Sequence, residues 1–300
     1  MKPILLIVFN RPETTKLVVG ALRAERPPRI FVAADGPRPG NERDRTRCAE
    51  TLDTVRNEID WPCDVSYRIL DENLGCKLAV SSAVTWFFDE VEEGIILEDD
   101  CVPAPGFLDF CSQMLDRYRN DARVGHIGGY NCQYGRRRGS ASYYFSRYFH
   151  VWGWASWRRA WNDYDVQMKD FPTFLAEGVL KSLYERASIR TFWMENFSAA
   201  AGSELNTWDY QWVYANLKKG RLSIVPNYNL ITNIGYGVDA THTGAGKVRV
   251  PPVEALPLPL AHPEFVLPCR SADDFTYRHE LGMGVFHDFK QLVKRAAGKK

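Results

Sequence analysis

The sequence predicts an α/β fold in which a mostly parallel sheet is flanked by helices and followed by a C-terminal extension. Short apolar, β-rich runs alternate with longer amphipathic runs through the first half of the chain. A polar cluster follows almost every apolar run, as expected where strands end at one edge of a parallel sheet. With 300 residues, 45% of them hydrophobic, the chain can bury a substantial core.

The predicted elements of the first half follow from these two periodicities. Strands are predicted at 4–9, 29–34, 64–70, 94–98 and 123–129. Apolar residues at three- and four-residue spacing predict helices at 13–24, 42–58, 76–88 and 106–119. This alternation is typical of a sheet covered on both faces, whose ligands bind beyond the carboxyl ends of the strands.

The second half has a different character. Seven of the nine tryptophans lie between Trp152 and Trp212, in a segment also rich in tyrosine. Helical spacing, a short apolar run, a proline-rich stretch and a final amphipathic pattern give the remaining predictions. These are helices at 177–200 and 207–218, a strand at 221–226, an extended surface segment at 251–268, and a last helix carrying Leu281 to Ala296 with a basic end.

Composition excludes some classes of function. A balance of 38 basic and 37 acidic residues gives a net charge of +1, which argues against a nucleic-acid binder with a large basic face. The seven cysteines form no CxxC pair and suggest reduced thiols in a cytoplasmic protein. The basic end of the last helix could contact the inner face of a membrane, although basic residues also suit any helix carboxyl end.

Three consecutive carboxylates, Glu98, Asp99 and Asp100, end the predicted strand at 94–98. Strand alternation predicts that Glu98 and Asp100 share one side while Asp99 points to the other. No lysine or arginine lies close by in sequence, and two charges about 4 Å apart repel by roughly 4 kcal/mol at an effective dielectric near 20. A divalent cation with an anionic ligand is therefore predicted, the alternative being an acidic turn.

The other predicted strands also end in polar residues. Asn10-Arg11-Pro12, Asp35-Gly36-Pro37 and the segment 71–75 follow the first three strands. Together with the carboxylates they predict a ligand cleft, because a purely structural sheet has no need of four polar strand ends. Each cluster taken singly could also be an ordinary turn.

Several of these segments resemble nucleotide-diphospho-sugar transferases of the GT-A fold, in particular the N-acetylglucosaminyltransferase I group and related bacterial sugar transferases. The matching segments are PILLIVFNRPETT, VAADGP, NLGCKLAVSSAV, ILEDDCVPAPGFLDF, WGWASW and TWDYQW. The resemblance implies a Rossmann-like GT-A domain over 1–245, with a nucleotide-sugar-binding half at 1–130 and an acceptor-binding half at 131–245. Residues 246–300 form the extension.

The resemblance also implies roles for the carboxylates. ILEDDC is similar to the family's DXD metal motif, so Asp100 is expected to bind Mn²⁺ or Mg²⁺ together with diphosphate oxygens and waters. Asp99 would reach the ribose or the metal's waters, and Glu98 the donor sugar. His242 is a second candidate metal ligand, on a glycine-bracketed loop at 235–246 that would close over the donor.

The nucleotide-sugar pocket would be completed by residues from the other strand ends. They are Asn10, Arg11, Asp35, Asn73 and Lys77. Asp35 could accept the uracil N3 proton, while Arg11 could stack on the base or pair with phosphate. The alternatives are a turn or helix cap for Asp35, a solvated side chain for Arg11 and a helix-surface lysine for Lys77.

Asp209 is the candidate catalytic base for a reaction that inverts the anomeric centre. It lies between Trp208 and Trp212 and could remove the proton of the acceptor hydroxyl. The alternative is a first-turn aspartate that complements the helix dipole. Trp152, Trp154 and Trp208 are the candidate acceptor-binding residues, although aromatic residues at this density are more often core.

The leading prediction is a metal-dependent, inverting hexosyl- or N-acetylhexosaminyltransferase that moves a sugar, favoured to come from a UDP-sugar, to a glycan or glycoconjugate hydroxyl in polysaccharide biosynthesis. A retaining transferase, a nucleotidyltransferase that makes a nucleotide sugar, and a non-catalytic sugar-binding homologue are the alternatives. A nucleotidyltransferase usually has a glycine-rich, basic loop after the first strand, where this chain has Asn10-Arg11-Pro12.

Overall fold

A computed structural model describes residues 1–202, 204–235 and 251–279. Eight strands form one sheet. They are β1 (Ile4–Val8), β2 (Arg29–Ala34), β3 (Asp64–Ile69), β4 (Glu93–Glu98), β6 (Val124–Gly128), β7 (Tyr143–Ser146), β8 (Trp154–Trp157) and β9 (Leu222–Pro226). Two short strands, β5 (Cys101–Pro103) and β10 (Ile231–Asn233), pair antiparallel in a separate sheet.

The strand order in the large sheet is β3-β2-β1-β4-β8-β6-β9-β7. The first four strands are mutually parallel, as are β6 and β9. Strand β8 runs antiparallel to both of its neighbours, and β7 runs antiparallel to β9. The predicted α/β fold with a mostly parallel sheet flanked by helices is therefore confirmed.

The helices cover both faces of this sheet. In chain order they are α1 (Pro12–Glu25), α2 (Glu42–Glu58), α3 (Gly75–Glu90), α4 (Phe107–Tyr118), α5 (Arg158–Trp161), α6 (Phe171–Ala176), α7 (Val179–Leu183), α8 (Ala187–Ala201), α9 (Asp209–Leu217) and α10 (Arg270–His279). Alternate residues of β1 separate the two cores: Leu6 packs with α1, α2 and α4, whereas Leu5 packs with α3 and the tryptophans. The buried strands of the first half thus pack apolar side chains against helices on both faces of the sheet.

The structure differs from the sequence prediction in the aromatic region. Strands β7 and β8 were not predicted, because all four residues of each are buried and neither shows the polar alternation of a half-exposed strand. The helix predicted at 177–200 is two helices, α7 and α8, separated by residues 184–186. Both pack into a third core cluster around Trp193, Phe197 and Tyr214.

Residues 251–268 contain no helix and run over the surface, as predicted, with Leu258, Phe265 and Leu267 exposed. Helix α10, which was not predicted from the sequence, packs beside β7. The predicted last helix, with Leu281 to Ala296, lies outside the described residues. No helix in the described ranges combines the length and the apolar character needed to cross a membrane.

Candidate functional site

The strand order changes direction between β1 and β4. From β1 the chain proceeds through β2 to β3 on one side, and β4 then pairs with the other edge of β1. In open α/β sheets such a switch leaves a crevice at the carboxyl ends of the two strands. Phe9, Asn10 and Arg11 follow β1 there, and Asp99 and Asp100 follow β4.

Arg11 holds both aspartates of this crevice. Its Nη1 lies 2.7 Å from Asp100 Oδ2 and 3.4 Å from Asp99 Oδ1, and the backbone N–H of Phe9 donates to Asp99 Oδ2 at 3.1 Å. The prediction that Asp99 and Asp100 point to opposite sides is wrong, because β4 ends at Glu98 and the two aspartates form a turn. The positive charge that partly balances these carboxylates is therefore Arg11, which follows β1 and is distant from them in sequence.

Burial and mutual repulsion dominate the electrostatics of the three carboxyls. Burial raises the pKa of Glu98 to about 8, and the charges of Asp100, Asp99 and Asp209 add to that shift. Burial also raises the pKa of Asp99 to about 7, opposed by the guanidinium of Arg11. One arginine therefore compensates only part of the charge, and a second cation would be stabilised here.

The donor set fits a hard cation that takes most of its ligands from a substrate. The side chain of Asp100 is 14% exposed, with Oδ2 bound by Arg11 and Oδ1 contacted by the Cys101 thiol at 3.4 Å. Among the described residues, no group of three or more His, Cys, Asp or Glu could hold a metal by itself. Mg²⁺ or Mn²⁺ with one carboxylate plus diphosphate and water oxygens suits such a site. His242 lies outside the described residues.

Gly235 lies directly against the Asp100 carboxylate. A Cβ atom at this glycine would lie 2.1 Å from Asp100 Oδ2, far inside van der Waals contact. The neighbouring Ile234 N–H donates to the Asp100 carbonyl at 2.8 Å. The segment after β10 thus reaches the crevice, and a side chain at 235 would displace the carboxylate.

Asp35 has its acceptor positions filled from within the chain. Oδ1 accepts from the N–H groups of Gly36 and Leu74, and Oδ2 accepts from Gly75 N–H and from the Asn73 amide, at 2.8 to 3.2 Å. A carboxylate has about four acceptor sites, so none is left for a uracil N3 proton. Asp35 and Asn73 thus hold the start of α3, with which a base contact of Asp35 would have to compete, and that contact stays a prediction.

Asn10 and Lys77 are also used structurally. The Asn10 amide donates to Asp44 on α2 at 2.8 Å, and Asp44 is itself paired with Arg38. Lys77 Nζ donates to the Ala200 carbonyl near the end of α8 at 3.3 Å. Both polar groups thus join neighbouring elements of the fold, and their nucleotide-binding roles stay predictions.

Sequence reasoning missed Asn206 as a cap of α3. Its Oδ1 accepts from the Lys77 N–H at 3.1 Å, and its amide nitrogen lies 3.1 Å from the position of a Cβ at Gly75. Helix α3 has no side-chain cap of its own, so residues distant in sequence satisfy its first N–H groups. A cap 129 residues away leaves no local sequence signal.

Asp209 is brought to the carboxylate cluster by α9, of which it is the first residue. Its charge raises the pKa of both Glu98 and Cys76, which places the three side chains in one electrostatic neighbourhood. Asp209 Oδ1 accepts from the Thr207 hydroxyl and, at 2.9 Å, from the Tyr210 N–H. Oδ2 has no hydrogen-bond partner within the described ranges.

The predicted acceptor tryptophans have mostly packing roles. Trp154 is fully buried between His126 and Trp208, with ring centroids 5.4 and 5.7 Å away. Trp208 is 3% exposed. Their predicted acceptor contact is corrected to core packing, because neither ring presents a face to solvent. Trp152 is half-buried against Tyr130, at 4.6 Å between centroids, and its acceptor role stays a prediction.

Comparison with known proteins finds weak similarity to solved structures. No protein-family model and no curated protein matches the sequence. Similar solved structures include HddC from Yersinia pseudotuberculosis (TM-score 0.33, 11% identity, 55% of this chain and 80% of that chain). Others are a UDP-glucose pyrophosphorylase complexed with UDP-glucose (0.34, 11%, 54% and 79%) and a mannose-1-phosphate geranyltransferase from Thermus thermophilus (0.36, 14%, 77% and 75%). Similarity at this level carries no activity over to this chain.

Proposed function

We propose that this protein binds a nucleotide diphosphate sugar and a divalent cation at the carboxyl ends of β1 and β4 and transfers the sugar to a hydroxyl group. One observation carries the proposal. The cluster of Glu98, Asp99 and Asp100 lies at the switch point of the sheet with Arg11, and the charge of Asp209 on α9 acts on Glu98.

In this proposal Asp100 holds Mn²⁺ or Mg²⁺, which would neutralise the charge that develops on the departing diphosphate. Arg11 has several N–H donors and uses Nη1 on the aspartates. Through Nη1 it would orient Asp100, and its positive charge would stabilise the nearby diphosphate. Asp99, held by Phe9 N–H and Arg11, would position Arg11 instead of reaching the ribose.

Asp209 would act as the base that removes the proton of the acceptor hydroxyl. Its Oδ1 is fixed by Thr207 and Tyr210, which leaves Oδ2 to accept that proton. Glu98, at the end of β4, would form a hydrogen bond with the donor sugar. A base in this position supports inversion, whereas a retaining transferase would not require it.

Nucleotidyl transfer is the second candidate. The name of the similar pyrophosphorylase structure with UDP-glucose fits this candidate better than the first, although the similarity is too low to decide between them. The chain's own geometry favours sugar transfer. Strand β1 ends at Val8 and α1 begins at Pro12, so no glycine-rich loop that could cradle a triphosphate lies between them.

Titration calorimetry with UDP and GDP, each with and without Mn²⁺, tests the proposed binding. Metal-dependent binding of UDP is expected, and Asp100→Asn should abolish its metal dependence. Asp53→Asn is the matched control, since Asp53 is an exposed carboxylate on α2. Metal-independent or absent nucleotide binding would overturn the proposal.

The products distinguish the two candidates before the acceptor is known. With a UDP-sugar and Mn²⁺, a sugar transferase releases UDP slowly to water and faster when a hydroxyl acceptor is added. A nucleotidyltransferase instead needs pyrophosphate and forms UTP and a sugar 1-phosphate. Nucleotide analysis by ion-exchange chromatography separates UDP from UTP.

A further inference from the structure

A cavity of about 210 Å³ lies at the edge of the sheet opposite the carboxylate cluster, where β6 and β9 begin. Both strands run parallel to each other, and β6 has the same direction as β4 because each is antiparallel to β8. The lining of the cavity includes Arg123, Arg147 and Arg221 together with apolar residues such as Leu183, Leu217 and Val266. Its walls are therefore apolar except for three arginines.

The positive charge of this cavity is incompletely paired. Within the described residues, the Arg147 side chain makes no hydrogen bond or ion pair, although it is half-buried. Arg221 is 9% exposed, and its Nε has no hydrogen-bond partner in the same part of the chain, while Nη2 pairs with Asp163 at 2.5 Å. Arg123 pairs with Asp121 at the surface.

Among the residues that the structure describes, no acidic side chain lines the cavity. Burial raises the pKa of Asp273 to about 6, and the nearby charge of Arg147 opposes that shift. The two oxygens of Asp273 accept from the Ser146 hydroxyl and the Arg147 N–H. Burial and the charge of Arg221 together lower the pKa of the neighbouring Arg159. Guanidinium groups beside apolar walls are poorly solvated, so an anion would be stabilised there.

We propose that this cavity binds an anion with an apolar body, such as an alkyl phosphate. The anionic group would take paired hydrogen bonds from the Arg147 guanidinium, a group that binds phosphate and carboxylate in this way. Arg221 would add its Nε–H, since its Nη1 already donates to the Ala160 carbonyl and its Nη2 pairs with Asp163. The apolar part would lie against Leu183, Leu217 and Val266. The volume corresponds to roughly seven waters at about 30 Å³ each, enough for a head group and a few carbons.

The chain of a longer ligand could extend out of the cavity past Leu267. That side chain is 68% exposed at the rim, and Phe265 two residues earlier is 65% exposed. The exposed apolar surface of Leu267 continues the cavity wall, as an amphiphile with a longer chain would require. The site is independent of the proposed transfer reaction, because it lies at the other edge of the sheet.

Calorimetric titration with hexyl phosphate tests this proposal, with inorganic phosphate and 1-hexanol as separate arms. Hexyl phosphate is expected to bind at least tenfold more tightly than either, because only it satisfies both the arginines and the apolar walls. Equal affinity for inorganic phosphate, equal affinity for hexanol, or no binding of hexyl phosphate would each overturn the proposal.

Two variants locate the binding. Arg147→Gln should weaken hexyl phosphate about tenfold or more, and Leu267→Asp should do the same by placing a negative charge at the rim. Leu267 is exposed, so this second variant keeps the test valid if Arg147→Gln folds poorly. Arg45→Gln, an exposed arginine on α2, is the control and should leave affinity unchanged. Unchanged affinity in both cavity variants would contradict the assignment.

Discussion

Arg11 and Asp100 form an ion pair of 2.7 Å between the ends of two neighbouring parallel strands, although 89 residues separate them in sequence. Their side chains are 18% and 14% exposed, so the pair is largely shielded from water. The same guanidinium also lies 3.4 Å from Asp99, so it partly neutralises both carboxylates of the crevice.

Replacement of Arg11 by Met should destabilise the protein and make it depend on added cation. Removing one partner of a buried pair leaves uncompensated charge, which costs on the order of 3 kcal/mol. Mn²⁺ should recover more stability in Arg11→Met than in the wild type, because it supplies the missing positive charge. Urea unfolding with and without Mn²⁺ measures both, and an equal Mn²⁺ effect in the two proteins would argue against a cation site.

Replacement of Asp35 by Ala should reduce stability more than nucleotide affinity. It leaves the N–H groups of Leu74 and Gly75 without their acceptor, at a cost of about 2 kcal/mol. Asp71→Ala, at an exposed residue of the loop that contains Leu74, is the control and should be nearly neutral. A variant of normal stability with much weaker UDP binding would support the predicted base contact.

Replacement of Gly235 by Ala should weaken metal-dependent nucleotide binding. The added Cβ would lie 2.1 Å from Asp100 Oδ2 and must push the carboxylate out of place. Gly20→Ala provides a matched control, because a Cβ at that helical position meets nothing within 4 Å. The control should be neutral or slightly stabilising. Calorimetry with UDP and Mn²⁺ compares the two variants, and equal affinity would mean that Asp100 is not a ligand.

Replacement of Asp209 by Asn should preserve UDP and Mn²⁺ binding while lowering the transfer rate by about 10² to 10⁴. The amide can still accept from Tyr210 N–H but cannot take up the acceptor's proton. Asp165→Asn, a nearby carboxylate at a different turn, is the control. Near-normal transfer in Asp209→Asn would exclude this residue as the base and leave a retaining mechanism open.

His126 should make the protein sensitive to acid. Its Nδ1 accepts from Trp212 Nε1–H at 3.1 Å and its Nε2 donates to the His150 carbonyl at 3.0 Å, an arrangement that only the neutral ring can satisfy. Burial lowers the pKa of His126 to about 3. A depressed histidine pKa means that the unfolded state binds the extra proton first.

Stability from His126 is therefore complete above about pH 6.5 and is lost as pH falls toward about 3. Between about pH 7 and about pH 3.5 the loss is on the order of 4 kcal/mol. His126→Gln should be less stable at neutral pH but show a flatter acid limb in urea unfolding, whereas His279→Gln, at an exposed position, should follow the wild-type curve. Parallel acid limbs in wild type and His126→Gln would contradict this assignment.

The order of strands and helices in the first half, and the gathering of polar residues at the strand carboxyl ends, could be predicted from the residues alone. Both are local properties, since a two-residue or 3.6-residue periodicity is read within one segment. Strands such as β8, buried along their whole length, show no such periodicity and were missed.

The use of each polar residue, by contrast, depends on how the chain packs. Arg11 neutralises Asp99 and Asp100, Asp35 is saturated by the start of α3, and the charge of Asp209 on another helix acts on Glu98. Each role depends on groups that are far apart in sequence and meet only after the chain has folded. The charge state of a side chain and the hydrogen bonds it can still make depend on its neighbours in the folded protein. The residue types therefore predict that a polar site exists, whereas the role of each residue follows from its packing.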